Sequence, residues 1–233
     1  MPIDLICLDA DDTLWHNMRF FAAAEDAFVA MLAPFAEAGI ARDRLAAVEV
    51  RNLPLYGYGA KSFTLSMIET AIEITDDRVP ASVIRQILEA GREMLEHPVE
   101  TLPHAHETLE RLTGRYRLLL VTKGDLFDQE RKLAASGLGD FFDAVEIVSD
   151  KNQATYERVF ARHGDGAGRA MMVGNSLKSD VVPAIEAGGW GVFVPHELTW
   201  VLEHVEPPRD DPRFREISHL GELEQVIAAA EEA

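Results

Sequence analysis

The sequence predicts an α/β protein with a doubly wound parallel sheet and an all-helical segment inserted after the first strand. Three observations in the 233-residue chain predict this. One apolar strand begins the sequence, the following residues up to about 98 show only helical spacing, and strands alternate with helices after residue 103. Such alternation implies a parallel sheet covered by helices on both faces.

The first strand is predicted at residues 3–8, which are apolar at almost every position. A strand that is covered on both faces reads in this way, whereas a half-exposed strand alternates between apolar and polar residues. The strand ends at an acidic cluster, residues 9–12.

The segment that follows has the apolar spacing of helices, with one side chain buried at about every third or fourth position. The two clearest apolar faces consist of Phe20, Phe21, Ala24, Ala27, Phe28, Met31 and Leu32, and of Val83, Ile84, Ile87, Leu88 and Leu95. The Gly- and aromatic-rich stretch LPLYGYGAKSF, residues 53–63, is predicted to be one loop between helices.

Further strands are predicted at residues 116–121, 145–148, 170–173 and 191–194, with an edge strand at 214–217. A helix capped by Asp125 and ended by Gly137 follows the second strand, and Gly188 ends a helix containing Pro183. We therefore predict a Rossmann-like core of residues 1–14 and 100–233, with a helical domain at 15–99. Sheets of this kind bind ligands at the carboxyl ends of their strands.

Polar side chains follow four successive predicted strands. They are Asp9 and Asp11 after the first, Thr122 and Lys123 after the second, Lys151 after the third, and Asn175 and Asp180 after the fourth; Gly124 follows Lys123 and offers a backbone N–H. Two carboxylates joined by a third from another strand are suited to Mg²⁺. A hydroxyl and a lysine nearby are suited to phosphoryl oxygens.

Each of these residues also has an ordinary interpretation when it is taken alone, as a helix cap or a solvated charge. Their placement together, after strands in chain order, favours a site. A phosphate dianion meeting these carboxylates is repelled by roughly 4 kcal/mol per charge pair at 4 Å. A divalent cation together with Lys151 is needed to offset that repulsion.

Four motifs carry a resemblance to the haloacid dehalogenase-like superfamily. They read LICLDADDTL, LLLVTKGD, VSDKNQATY and MMVGNSLKSD, and the match runs from residue 3 to about residue 195. The helical segment at residues 15–99 occupies the family's common cap position. The first motif with its strand is fairly specific, whereas the other three gain their weight from appearing in order.

The resemblance implies a role for each matching residue. Asp9 would be the nucleophile that forms an aspartyl-phosphate, and Asp11 the general acid and base. Thr122 and Lys151 would bind the transferring phosphoryl group. Mg²⁺ would be held by the Asp9 carboxylate, the Asp11 backbone carbonyl and Asp180.

The resemblance adds Ala10, Lys123 and Gly124 as further substrate-binding positions. One departure concerns Asn175, which stands where many relatives have an aspartate. An amide oxygen still ligates a cation but brings no charge, so Asn175 is either a direct ligand or a residue that supports the ligands.

The resemblance implies a magnesium-dependent phosphatase that acts on a small phosphomonoester of the nucleotide or sugar phosphate type. The cap is expected to select the substrate, through candidates Arg19, Arg51, Tyr56, Tyr58, Lys61 and Ser62. A 2-haloacid dehalogenase is an alternative, although the family's dehalogenases need no metal and lack the carboxylate at the position of Asp11. A phosphomutase and a catalytically weak binding protein are further alternatives.

The charge of the chain narrows the possible partners. With 40 acidic and 22 basic residues, the formal net charge is −18, which disfavours long nucleic acids and anionic membranes. No apolar run approaches the roughly 18 residues of a membrane span, and the single Cys7 cannot form an internal disulfide. We expect a cytoplasmic protein; the oligomeric state, the physiological substrate and the choice between Mg²⁺ and Mn²⁺ stay open.

Overall fold

A computed structural model describes residues 2–198, 200 and 203–232. The chain divides into two compact units. The sheet unit comprises Met1–Met18, Val99–Lys123 and Gln129–Ala233, and the helical unit comprises Arg19–Pro98 and Gly124–Asp128. Within the described ranges, no helix combines the length and the apolar character that crossing a membrane requires.

The sheet unit is built on parallel strands, and all six predicted strands are confirmed to within two residues. They are β1 (Leu5–Leu8), β2 (Arg117–Lys123), β3 (Ala144–Val148), β4 (Ala170–Gly174), β5 (Trp190–Phe193) and β6 (Phe214–Glu216). Their order in the sheet is β3-β2-β1-β4-β5-β6, and each neighbouring pair is parallel.

Strand β1 lies at the centre of this order. Leu8, its last residue, pairs with Leu120 of β2 and with Val173 of β4. The strands that follow in the chain extend in one direction through β2 and β3, and in the other through β4, β5 and β6. The reversal makes the end of β1 the topological switch point, where open α/β sheets bind their ligands.

Helices occupy both units. They are α1 (Met18–Leu32), α2 (Ala38–Tyr56), α3 (Ala60–Ile74), α4 (Ala81–Glu96), α5 (Ala105–Leu112), α6 (Leu126–Ser136), α7 (Gln153–His163), α8 (Val182–Glu186) and α9 (Leu223–Glu232). Asp125 and Gly137 bound α6 as predicted, since Asp125 accepts a hydrogen bond from the Asp128 N–H at 3.0 Å and Gly137 has φ of 71°.

The two faces of the sheet are both covered, which confirms the doubly wound class. Ile6 and Leu8 of β1 pack in a core cluster that includes residues of α5 and α9. Leu5 and Cys7 point to the other face and pack in a cluster that includes residues of α7. Successive side chains of a strand point to opposite faces, so an entirely apolar β1 requires both layers.

The helical unit has its own core, to which α1, α2, α3 and α4 contribute. Its fully buried side chains include Phe28, Leu32, Met67 and Ile87. In α4 the buried positions are 83, 87, 90 and 91, the spacing of one helix face. At Gly91 an added Cβ would lie 2.3 Å from the Thr64 hydroxyl, so glycine permits the close approach of α3 and α4.

The prediction of one loop over residues 53–63 is wrong. Helix α2 continues through Pro54 to Tyr56, α3 begins at Ala60, and only residues 57–59 are not helical. The turn is short because Gly57 and Gly59 have φ of 71° and 107°, values that other residues rarely adopt. Gly57 also donates its N–H to the Leu53 carbonyl at 3.0 Å and ends the helix.

Candidate active site

A buried cluster of one lysine and two aspartates lies within the sheet unit. Asp9 directly follows β1, Lys151 follows β3, and Asp180 follows β4. The Lys151 ammonium donates to Asp9 Oδ1 and, at 2.7 Å, to Asp180 Oδ1. All three residues are buried. The structure thus joins the ends of three strands, as the sequence predicted from their carboxyl-end positions.

The charges in this cluster do not balance. Burial raises the pKa of the Asp9 carboxyl to about 7, because desolvation outweighs the attraction of Lys151 and Asp180 adds a second negative charge. Burial alone would lower the pKa of Lys151, but the attraction of Asp180 and Asp9 raises it overall. One ammonium therefore faces two carboxylates, an arrangement that a further cation would stabilise.

Asn175 and Thr13 complete the surroundings of Asp9. The Thr13 hydroxyl donates to Asp9 Oδ2 at 3.1 Å, and the Asn175 backbone N–H donates to the Thr13 hydroxyl at 3.1 Å. With its amide nitrogen turned inward, Asn175 donates to Asp9 Oδ2 and to the Asp11 backbone oxygen, each at 3.2 Å.

The Asp9 carboxylate, the Asp11 backbone carbonyl and the Asn175 amide also fit a magnesium ion. When the Asn175 amide oxygen is turned inward instead, three oxygens converge, from a carboxylate, a backbone carbonyl and an amide. Oxygens that face one another need a cation between them, and Mg²⁺ prefers oxygen ligands. Asn175 is therefore placed beside the two predicted ligands Asp9 and Asp11, whereas the Asp180 carboxylate is bound to Lys151.

The chain around Asp180 adopts a wide π-helical turn, Leu177–Val181, before α8. The Val181 N–H reaches back five residues to the Ser176 carbonyl at 3.2 Å, and π turns are frequent at functional sites. Asp180 Oδ2 accepts the Ser176 N–H at 3.0 Å. It fills the space beside Gly174, where an added Cβ would lie 2.2 Å from that oxygen.

The Asp11 carboxylate is held by three donors. Lys132 Nζ and Trp15 Nε1 donate to Oδ1 at 2.6 and 2.8 Å, and Gln129 Nε2 donates to Oδ2 at 2.9 Å. These contacts fix the orientation of the carboxylate and place a cation against it. Asp11 is thus positioned by side chains of its own turn and of α6.

Gln129 also connects Asp11 with Thr122, because its Nε2 lies 2.9 Å from the Thr122 hydroxyl. Sequence reasoning missed Gln129 and Lys132. A signal existed, since the two residues are three apart on the helix that begins just after Thr122, and this spacing places them on one helix face. The rotation of that face toward Asp11 depends on packing that the sequence alone does not reveal.

Lys123, a predicted substrate-binding residue, lies in a second group of polar side chains. Its ammonium donates to Glu203 at 2.6 Å and to the Ser179 hydroxyl at 2.7 Å. Glu203 also accepts from the hydroxyls of Ser176 and Ser179. Burial alone would raise the pKa of Glu203, but Lys123 and these hydroxyls lower it overall. Glu203 lies far along the chain from the strand ends, and no sequence pattern indicated it.

The other two predicted substrate-binding positions are backbone positions. Ala10 is buried and its carbonyl accepts the Leu14 N–H at 2.8 Å, which begins the tight turn after Asp9. Gly124 has φ of 141° and groups with the helical unit.

The predicted site residues thus form two hydrogen-bonded groups. Lys151 connects Asp9 and Asp180 directly, with Asn175 beside them. Gln129 connects Thr122 to Asp11.

A doubly wound sheet with a buried carboxylate–lysine cluster at its switch point is typical of an α/β enzyme. The family model for haloacid dehalogenase-like hydrolases matches residues 3–188, and the chain belongs to this family. A solved haloacid dehalogenase-like family hydrolase from Xanthomonas campestris is 41% identical, with a TM-score of 0.89, over 99% of this chain and 92% of that one.

Two characterised relatives match over 133 residues. A glyceraldehyde 3-phosphate phosphatase from Methanothermobacter thermautotrophicus is 34% identical over 54% of this chain and 58% of its own. The pyrimidine 5'-nucleotidase YjjG from Escherichia coli is 28% identical over 54% of this chain and 56% of its own. The chain thus spans little more than half the length of either relative.

A solved 2-haloacid dehalogenase from Pseudomonas syringae is similar in fold alone. It is 22% identical with a TM-score of 0.61, over 97% of this chain and 99% of that one. The fold by itself therefore does not separate phosphatases from dehalogenases.

Proposed function

We propose that this protein is a magnesium-dependent phosphatase that hydrolyses a small phosphomonoester through an aspartyl-phosphate on Asp9. The observation that carries the proposal is the pair of carboxylates after β1: Asp9 is buried against Lys151, while Asp11 is held by separate donors. One carboxylate is suited to nucleophilic attack and the other to proton transfer.

In the first step, a carboxylate oxygen of Asp9 forms a bond to phosphorus as the phosphorus–oxygen bond to the leaving group breaks. Asp11 gives its proton to the leaving oxygen. Lys151 and the Thr122 hydroxyl stabilise the negative charge on the transferring phosphoryl group. Lys151 is already hydrogen-bonded to Asp9. The ammonium and the attacking carboxylate are therefore in position before the phosphoryl group is transferred.

In the second step, Asp11 removes a proton from water as that water attacks phosphorus. The bond between Asp9 and phosphorus breaks, and phosphate and the free carboxylate are restored. Gln129 and Lys132 hold the Asp11 carboxylate throughout. We infer that these two residues position Asp11 for both proton transfers.

Mg²⁺ would be held by the Asp9 carboxylate, the Asp11 carbonyl and the Asn175 amide oxygen. Asp180 lies near this position because Lys151 donates hydrogen bonds to both Asp9 and Asp180. The ion supplies positive charge to the phosphoryl oxygens. The unbalanced charge of the Asp9, Asp180 and Lys151 cluster supports this assignment.

The two characterised relatives are named for a triose phosphate and for pyrimidine nucleotides. These names support a small phosphorylated metabolite of the sugar phosphate or nucleotide type as substrate. The core residues at the strand ends contact only a phosphoryl group in this scheme. The predicted cap at residues 15–99 therefore stays the expected source of selectivity between such substrates.

The test is hydrolysis of an aryl phosphate by the wild type and by Asp9→Asn, with Mg²⁺ and with chelator. Asn keeps the shape of Asp9 but is not a nucleophile, so we expect a loss of at least about 10⁴-fold. Asp4→Asn, a change near the amino end of the same strand, is the matched control and keeps activity.

The dehalogenase alternative is tested in the same preparation with 2-chloropropionate and no metal. Chloride release without metal, together with no phosphate release from any phosphoester offered, would replace the phosphatase proposal. Phosphate release by Asp9→Asn at the wild-type rate would exclude Asp9 as the nucleophile.

A further inference from the structure

Two histidines and an aspartate converge on a part of the sheet unit that the proposed reaction does not use. The ligand atoms of Asp12, His16 and His196 all lie within 4.8 Å of one another. Asp12 and His16 come from the segment after β1, and His196 comes from the segment after β5. The cluster thus joins two distant stretches of the chain.

We propose that Asp12, His16 and His196 bind a transition-metal ion of the Zn²⁺ kind, at a site separate from the magnesium position beside Asp9. Two imidazoles and a carboxylate are ligands that Zn²⁺ accepts, whereas Mg²⁺ prefers oxygen alone. Three protein ligands leave a fourth position for water or a small ligand.

The spacing of the groups fits an ion between them. His196 Nε2 lies 3.6 Å from Asp12 Oδ1, which is too long for a hydrogen bond. Two ligand atoms on a tetrahedral zinc ion are roughly 3.3–3.6 Å apart, given metal–ligand distances of about 2.0–2.2 Å. His16 and His196 are only partly buried, so an ion can reach them from the solvent.

The His196 ring is held by its own segment. Its Nδ1 lies 3.1 Å from the Leu198 carbonyl oxygen and 3.2 Å from the Leu198 nitrogen, so the ring is fixed with Nε2 on the side of Asp12. Metal-binding histidines are usually fixed in a similar way, through the ring nitrogen that does not face the metal.

The Asp12 carboxylate is fixed as well. Oδ1 accepts the Asn17 N–H at 2.8 Å, and Oδ2 accepts the Met18 N–H at 2.9 Å. An ionised carboxylate offers about four acceptor positions, so these backbone donors leave room for an ion. Asp12 is also buried, which strengthens its attraction for a cation.

The experiment is a calorimetric titration of the full chain with Zn²⁺, without Mg²⁺ and in the presence of excess Mg²⁺, with Co²⁺ absorbance as a second readout. Excess Mg²⁺ occupies the oxygen site beside Asp9. We expect one equivalent of Zn²⁺ to bind, and we expect the Co²⁺ bands of a site with imidazole ligands.

The variants His16→Gln and His196→Gln should each weaken Zn²⁺ binding by at least about tenfold. His106→Gln, at an exposed histidine outside the cluster, is the matched control and should bind as the wild type does. Circular dichroism of each variant without metal establishes that it is folded. Zn²⁺ should also raise the thermal midpoint of the wild type more than that of either cluster variant.

Three results would overturn the proposal. The first is no Zn²⁺ uptake by the folded wild type, which would leave an Asp12–His196 ion pair as the purpose of the cluster. The second is equal uptake by the folded wild type and both variants, which would show an adventitious ion only. The third is uptake that Mg²⁺ abolishes, which would assign the ion to the Asp9 site.

Discussion

Two ion pairs, one in each unit, lie in opposite surroundings. In the sheet unit, the side chains of Lys151 and Asp180 are 2% and 1% exposed. In the helical unit, Arg42 pairs with Glu25 and Asp26 while its own side chain is 43% exposed. Both pairs join a basic and an acidic side chain, but the first is buried in the protein and the second is in contact with water.

The difference in solvent exposure changes what each ion pair contributes to the free energy of unfolding. An exposed pair contributes about 0–1 kcal/mol because water and salt screen it. Removing one partner of a buried pair costs about 3–5 kcal/mol, although an apolar substitute for the whole pair is often no less stable. A buried pair is therefore a weak argument for stability as such, which leaves room for the catalytic role proposed for Lys151.

The largest expected effect comes from Lys151→Met. Asp9 and Asp180 would then lie buried without their cation, and the free energy of unfolding without metal should fall by about 3–5 kcal/mol above pH 7. The loss should be smaller at lower pH, because the Asp9 carboxyl, with its pKa raised to about 7, becomes protonated. Urea denaturation at both pH values measures this.

Lys178→Met is the matched control, since Lys178 is an exposed lysine in the same turn as Asp180. It should change the unfolding free energy by less than about 0.5 kcal/mol. An equally small effect of Lys151→Met would mean that the buried cluster does not behave as a charged group.

A smaller effect is expected for Gly174→Ala, which brings no charge change. The new Cβ would lie 2.2 Å from Asp180 Oδ2, so the carboxylate has to move away from Lys151. We expect a loss of about 1–3 kcal/mol, together with weaker Mg²⁺ binding in calorimetry. At Gly139 the nearest atom would be 3.8 Å from an added Cβ, so Gly139→Ala should have neither effect.

The helical unit offers a prediction of opposite sign. Burial raises the pKa of Glu49 to about 7, and Glu25 contributes further in the same direction. A carboxyl with a raised folded pKa stabilises the fold fully below its unfolded pKa of about 4.5, and that stability is lost as the pH rises through 7. Glu49→Gln should therefore stabilise the protein by about 1–2 kcal/mol above pH 7 and have little effect near pH 4.

Thermal or urea unfolding across this pH range measures the effect of Glu49→Gln. The exposed Glu93→Gln in α4 is the matched control and should show no such pH dependence. A gain for Glu49→Gln that stays the same from acid to alkaline pH would contradict the assigned cause.

The smallest effect is expected for Arg42→Ala. Its contacts with Glu25 and Asp26 are 2.6 and 2.5 Å long but solvated, so the loss should be less than about 1 kcal/mol. It should decrease further in high salt, because salt screens exposed charges. A loss comparable to that of Lys151→Met would erase the contrast between the two units.

The strands were predictable because a parallel sheet covered on both faces leaves a direct signature, an unbroken apolar run such as the one in β1. Asp9, Lys151 and Asp180 were predictable for a related reason, since parallel strands bring their carboxyl ends to one edge. The loop at residues 53–63 was not predicted correctly. Pro54 and two glycines indicate a break, but they do not show that the break is only three residues long.

The supporting residues of the site were predictable only in part. Gln129 and Lys132 act from a helix, and the face that a helix turns toward a site is set by tertiary packing. Glu203 reaches Lys123 from a distant part of the chain, and such a return across 80 residues leaves no local pattern. Site residues that follow strands are thus easier to predict from the sequence than the residues that position them.

The central position of β1 also has a consequence for biosynthesis. Its neighbour β4 ends only at Gly174, and at about 5–20 residues per second that strand follows β1 roughly 10 to 30 s later. During this interval an entirely apolar strand has no completed sheet to enter. A partial product that ends before β4 therefore lacks Asn175 and Asp180 and cannot form the assembled site.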